Sequence, residues 1–167
     1  MPGNPTSHIT VTYKLGEAEI TGIYTVSEET LREAQILQQK ADGSAVNAFL
    51  ERKGCHLDSD SGPAYVEFRA DGSTVEEYYR DGKHHREDGP ACIERKADGS
   101  TDQAYFRDGK LDRHDGPARI IRRADRSTYE AYYQNGKFLK AEESGPISSM
   151  PGVTMIRPGS RPSAPAP

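Results

Sequence analysis

The chain of 167 residues carries 22 basic and 26 acidic side chains, a net charge of −4, and 34% hydrophobic residues, with a mean hydropathy of −0.83. So lean a composition supplies no single thick core and suits a thin, elongated fold in which each unit buries one face. The acidic balance argues against a nucleic-acid binder, because neutralising phosphates needs a basic surplus, and no stretch reaches the ~18 apolar residues that span a bilayer.

The opening Met1-Pro2-Gly3-Asn4-Pro5 has no basic patch followed by an apolar run, so no signal peptide is expected. Two cysteines, Cys55 and Cys92, sit in no paired motif, which suits a reducing compartment and a cytoplasmic location. Residues 8 to 25 read as two strands, His8–Leu15 and Glu19–Thr25, joined at Gly16. Ser27 then caps a helix running to about Lys40. Glu28 and Glu29 suit its positive end, and Leu31, Ala34, Leu37 and Ala41 make one apolar stripe. This ββα unit, residues 1–41, is expected to cap the remainder of the fold.

From residue 42 the chain is periodic. Gly-Pro-Ala recurs at Gly62, Gly89 and Gly116, 27 residues apart each time. Asp71-Gly72-Ser73 recurs as Asp98-Gly99-Ser100 and, altered, as Asp125-Arg126-Ser127. The pair Tyr78-Tyr79 returns as Tyr105-Phe106 and Tyr132-Tyr133. Asp81-Gly82-Lys83 returns as Asp108-Gly109-Lys110 and Asn135-Gly136-Lys137. Asp42-Gly43-Ser44, Phe49-Leu50 and Lys53-Gly54 read as a degenerate upstream copy, so the array is expected over 42–146.

Asp-Gly between alternating segments predicts a type I′ hairpin turn. Centred on Asp71-Gly72, it places Ala64, Val66, Phe68, Ala70, Ser73, Val75, Glu77 and Tyr79 on one face. The equivalent face holds Ala91, Ile93, Ala97, Ala104 and Phe106, then Ala118, Ile120, Ala124, Ala131 and Tyr133, with His84, Leu111 and Phe138 on the same side. Two apolar columns result, Val66-Ile93-Ile120 and Tyr79-Phe106-Tyr133. The expected fold is mainly β: tandem antiparallel hairpins in an elongated meander sheet, with the N-terminal cap. A Pro-rich tail over 147–167 is expected to be disordered.

Catalytic signatures are missing: there is no GxSxG, P-loop, GxGxxG or HExxH. His84-His85-Arg86-Glu87-Asp88 looks reactive, but adjacent histidines on a strand point to opposite faces, and His85 is replaced by Asp112 one period later. Asp88 and Asp115 are expected to bond the Gly-Pro turn backbone. Asp58-Ser59-Asp60-Ser61-Gly62 begins like a calcium loop but lacks the later ligands. No catalytic residue, metal or cofactor is therefore expected. The binding candidates are the aromatic column Tyr78, Tyr105 and Tyr132 on the charged face, with Arg80 and Arg107 beside it and Arg119 and Arg123 from a local basic cluster. Tyrosine buries area at low entropic cost and is favoured at hot spots.

The segment Tyr79-Arg80-Asp81-Gly82-Lys83-His84-His85-Arg86-Glu87-Asp88-Gly89-Pro90 resembles MORN-type repeats. It is more similar to the "NGK-HRE-DGPA" repeat proteins of large phages and bacteria, antitoxin-like proteins among them. It departs from the MORN unit in its longer period and in having Asp-Gly-Pro. The resemblance implies a hairpin array for scaffolding or partner binding, with no catalytic residues to carry over. The leading expectation is a protein-binding adaptor or inhibitor that works by steric occlusion. The alternatives are a structural component that self-assembles through sheet edges and a metal-dependent enzyme on the His/Asp turns.

Overall fold

A computed structural model describes residues 6–59 and 61–146. The tail expected over 147–167 lies outside the described residues. Two ten-residue strands open the chain, β1 (Thr6–Leu15) and β2 (Ala18–Ser27), paired antiparallel around Gly16. Alternation explains them: Ile9, Val11, Ile20, Tyr24 and Val26 are buried, while most of their neighbours are at least partly exposed. Helix α1 (Glu28–Gln38) comes next as expected, and the Ser27 hydroxyl accepts from the Thr30 amide.

Residues 42–54 overturn the upstream hairpin copy. They form helix α2 (Gly43–Arg52), with Asp42 as its N-cap accepting from the Ala45 amide at 3.0 Å. Val46 and Leu50, one helical turn apart, are fully buried. They join Ile9, Val11, Tyr24, Val26 and Ala34 in the main hydrophobic cluster, between the first two strands and the two helices. Gly43 is required where it stands, because a Cβ there would lie 2.0 Å from the Thr12 carbonyl oxygen of β1.

From residue 56 to 146 the described residues form strands and the turns and loops between them. The elements are β3 (His56–Leu57), β4 (Tyr65–Phe68), β5 (Thr74–Glu77), β6 (Tyr79–Arg80), β7 (Lys83–His84), β8 (Cys92–Arg95), β9 (Thr101–Ala104), β10 (Phe106–Arg107), β11 (Lys110–Leu111), β12 (Arg119–Arg122), β13 (Thr128–Gln134) and β14 (Lys137–Ser144). One antiparallel meander sheet runs β1-β2-β4-β5-β8-β9-β12-β13-β14, with β3 also on β2. Two short hairpins, β6-β7 and β10-β11, stand apart from it. They continue edge to edge: the Gly109 amide donates to the His84 carbonyl and the Gly136 amide to the Leu111 carbonyl, both at 2.9 Å.

The expected register needs correction by one residue. Val75 lies opposite Glu67, and Phe68 opposite Thr74. The loop is therefore three residues, Ala70-Asp71-Gly72, closed by the Arg69 amide on the Ser73 carbonyl. Only Gly72 has positive φ, at +86°, which is the type I turn with a bulge rather than type I′. Asp71 stays out of the left-handed region because its carboxylate accepts the Ser73 amide at 2.8 Å. Asp98 and Asp125 do the same for Ser100 and Ser127. The true type I′ turns are the other set: Asp81-Gly82, Asp108-Gly109 and Asn135-Gly136 have positive φ at both positions.

A one-residue slip exchanges the faces of one strand in each pair. Val75, expected beside Phe68, Val66 and Ile93, lies on the opposite face, where it is 8% exposed, while Phe68 at the end of its strand is 54% exposed. The column Val66-Ile93-Ile120 does share a face, but it is interleaved, because Glu76 lies between Val66 and Ile93 and Gln103 between Ile93 and Ile120. The aromatic column is interleaved too. His84 sits between Tyr79 and Phe106, with ring centroids 4.3 and 5.1 Å away, and Phe138 meets Tyr133 edge-on at 5.4 Å.

In the third turn, Arg126 takes the left-handed position at φ +70° that glycine fills in the other two. A side chain there costs roughly 1–2 kcal/mol of backbone strain. Arg126→Gly is expected to raise stability by about 1 kcal/mol, seen as a thermal midpoint a few degrees higher. An unchanged or lower midpoint would contradict the turn assignment.

Candidate functional site

At Tyr78 and Tyr105 the chain bends out of the large sheet. The Tyr78 amide still donates to the Ala91 carbonyl, but its own carbonyl accepts from His85 in the short hairpin. Tyr105 repeats this with Ala118 and Asp112. In the third copy, β13 runs through without a break, and a register shift between Tyr132 and Tyr133 absorbs the bend.

Each bend tyrosine lies under a cation. The Arg86 guanidinium carbon is 3.8 Å from the Tyr78 ring centre, Arg113 is 4.0 Å from Tyr105, and the Lys140 ammonium is 4.4 Å from Tyr132. The same arginines brace the Gly-Pro turns, donating to the Pro90 and Pro117 carbonyls at 3.2 and 3.3 Å. That task was expected of Asp88 and Asp115. A planar fork of donors at the end of a long stem reaches both a ring and a carbonyl, which a short carboxylate cannot do. Asp115 instead accepts from Arg113, whose guanidinium holds its carboxyl below the usual carboxylate range.

Two grooves result, at corresponding positions of successive copies. The first, about 490 Å³, is lined by Tyr78, Arg80, His85, Arg86 and Asp88. The second, about 430 Å³, presents Tyr105, Arg107, Asp112, Arg113 and Asp115, which stand 27 residues further on. Arg80 pairs with Glu87 at 3.0 Å. His85 and Asp112 share one role despite their different chemistry. His85 Nδ1 lies 3.2 Å from the Asp108 amide and Asp112 Oδ1 accepts the Asn135 amide at 3.2 Å, so each ties its own copy to the next type I′ turn. Residue type hides this likeness, because an imidazole and a carboxylate reach the same place in successive copies.

The structure splits the remaining sequence candidates. Arg119 forms a bidentate pair with Asp102, at 3.2 and 2.7 Å, and lines a third groove. Arg123 pairs with Glu143 at 3.0 Å. Neither joins the two grooves. The third groove, about 270 Å³, also holds Glu77, His84, Cys92, Phe106 and Leu111. Glu77 accepts from the Tyr79 hydroxyl at 2.7 Å, and His84 Nε2 is 3.4 Å away without a well-directed hydrogen bond. Burial and the nearby carboxylates push the Cys92 thiol up to about 12, so it stays protonated at neutral pH. Among the described residues, no three His, Cys, Asp or Glu side chains converge as metal ligands.

The His84 imidazole beside it, with the Tyr79 hydroxyl and Cys92 thiol, holds the Glu77 carboxyl below its usual value despite burial. A depressed folded value means that the stabilisation is complete above the unfolded carboxylate value of about 4.3 and fades as pH falls through the folded one. Thermal midpoints measured on acidification should therefore fall below about pH 4.3. In Glu77→Gln that decline should be shallower; an identical slope would remove Glu77 as its source.

No protein-family model matches the chain, and none of the curated proteins does. The geometry stands alone. Among the described residues, no helix is long and apolar enough to cross a membrane.

Proposed function

We propose that this is a non-catalytic, protein-binding repeat module that works by occluding its partner's surface. The 27-residue period is the unit of the array, and the N-terminal strands and helices cap it, with β2 lying along β4 so that the first repeat hairpin has no bare edge. The observation that carries the reading is the pair of like grooves, each with a half-buried tyrosine, a stacked arginine and an outward arginine at its rim. Such a repeat presents the same contact twice at fixed spacing, and two linked weak contacts bind far more tightly than one.

The rim arginines, Arg80 and Arg107, are exposed and brace no backbone group, so they can be changed without unmaking the bends. The tyrosines cannot, because each anchors the arginine that braces a turn. Affinity capture from the native cell should retain a partner on the wild type and lose it on Arg80→Glu/Arg107→Glu, at an unchanged thermal midpoint. Capture of the same partner by both would remove the grooves from the binding surface.

A further inference from the structure

The last strand of the sheet ends the described fold with an open edge. All eight residues of β14 are exposed, including Phe138 at 46% and Leu139 at 52%. Its inner side pairs with β13 and no described strand covers its outer side. A bare edge offers a row of backbone donors and acceptors to another strand. Which strand it accepts is a matter of side chains.

The charges along β14 are divided. Lys137 and Lys140 stand in the first half, Glu142 and Glu143 in the second. Laid parallel, two such strands would set lysine near lysine and glutamate near glutamate. Laid antiparallel, each basic half meets an acidic half. A two-fold axis perpendicular to the sheet leaves every side chain on its own face, so some residue must lie opposite itself on the axis. Placing Lys140 or Glu142 there opposes like charges. Placing the small, neutral Ala141 there sets Lys140 of each copy opposite Glu142 of the other. Within one copy, Lys140 Nζ is already 2.6 Å from Glu142 Oε1. The four groups then close a ring of alternating charge.

We propose that β14 is a self-pairing edge, through which two copies of this chain join antiparallel about a two-fold axis at Ala141. The opposite edge, β1, is a poorer match for β14, since it carries no carboxylate and Lys14 is its only Lys, Arg, Asp or Glu. Closed two-fold pairing therefore wins over head-to-tail growth. A single strand pair buries well under the roughly 800 Å² per partner of a standard interface, so the dimer is weak and forms in the micromolar-to-millimolar range. The inference is independent of the grooves.

Sedimentation of the full chain across that range tests it. The expected result is a shift from one copy to two, weakened by salt. Lys140→Glu and Glu142→Lys each put like charges opposite one another, and each should weaken the dimer by roughly tenfold or more. Mixed together, these two variants restore both opposite-charge pairs across the axis, although neither regains its internal pair. They should therefore form a heterodimer at concentrations where each alone is monomeric. A wild type monomeric at every concentration, chains growing beyond two, or a mixture that stays monomeric would each overturn the proposal.

Discussion

Leu50→Ala is expected to lower stability by about 3–5 kcal/mol, the range for truncating a fully buried leucine whose site cannot collapse. Leu50 is 0% exposed, held between α2 and β1 with Val46, Val11 and Tyr24. The rest of the molecule is thin, so this cluster carries an outsized share of the 5–15 kcal/mol that a domain of this kind has to lose. In a thermal scan the midpoint should fall by roughly ten degrees. Ile36→Ala, which removes a side chain 55% exposed on α1, should stay within about 0.5 kcal/mol of the wild type. Equal losses at the two positions would mean that the helices are not packed as described.

The second large effect separates two registers. In the observed pairing, Ile93 is 6% exposed and sits opposite Glu76 on one side and Gln103 on the other. Ile93→Ala should lose about 2–4 kcal/mol. Phe68 is the larger side chain, yet it is 54% exposed, and Phe68→Ala should lose less than about 1 kcal/mol. A two-residue turn at Asp71-Gly72 predicts otherwise, because it sets Phe68 opposite Val75, an apolar partner that covers the ring, where the observed register sets it opposite Thr74. Denaturant midpoints of the two variants decide between the registers. A greater loss from Phe68 than from Ile93 would restore the two-residue turn.

Much of this sheet is legible from spacing alone. Strands β4, β8 and β12 begin at Tyr65, Cys92 and Arg119, at the same offset after each Gly-Pro. Ser27 caps the first helix because an isolated hydroxyl before Glu28 and Glu29 has little else to do. His84, Leu111 and Phe138 are expected beside the aromatic column, and there His84 stacks on Phe106 and Phe138 meets Tyr133 edge-on. The columns are not continuous, since an antiparallel meander places a second strand of each hairpin between like residues of successive copies.

The departures from expectation at Asp42 and Asp71 share one cause. An aspartate before Gly-Ser can satisfy either of two amides, and the tripeptide does not say which. In Asp71 the carboxylate takes the amide two residues on and makes a hairpin loop; in Asp42 it takes the amide three residues on and starts a helix. The residues downstream decide: Val46, Phe49 and Leu50 recur at helical spacing, whereas Thr74-Val75-Glu76-Glu77 alternates as a strand. In the same way, an Asp-Gly pair marks a type I′ turn only where the aspartate leaves its own backbone alone. Asp81 and Asp108 do so, at φ +51° and +50°.

At the grooves, the sequence exposes the tyrosines and hides their partners. Arg86 and Arg113 lie eight positions beyond the rings that they cover, and only the short hairpin brings them back. The signal that betrays them is a cation eight residues beyond an aromatic residue in all three copies, Lys140 after Tyr132 being the third.

Successive hairpins are joined edge to edge in one sheet, with three-residue loops inside them. Cross-strand nuclear Overhauser contacts between backbone protons check this arrangement. Such a sheet gives contacts between Glu76 and Ile93 and between Gln103 and Ile120, across the seams, together with Glu67 and Val75 within the first hairpin. Contacts pairing Phe68 with Val75, or none across either seam, would contradict it.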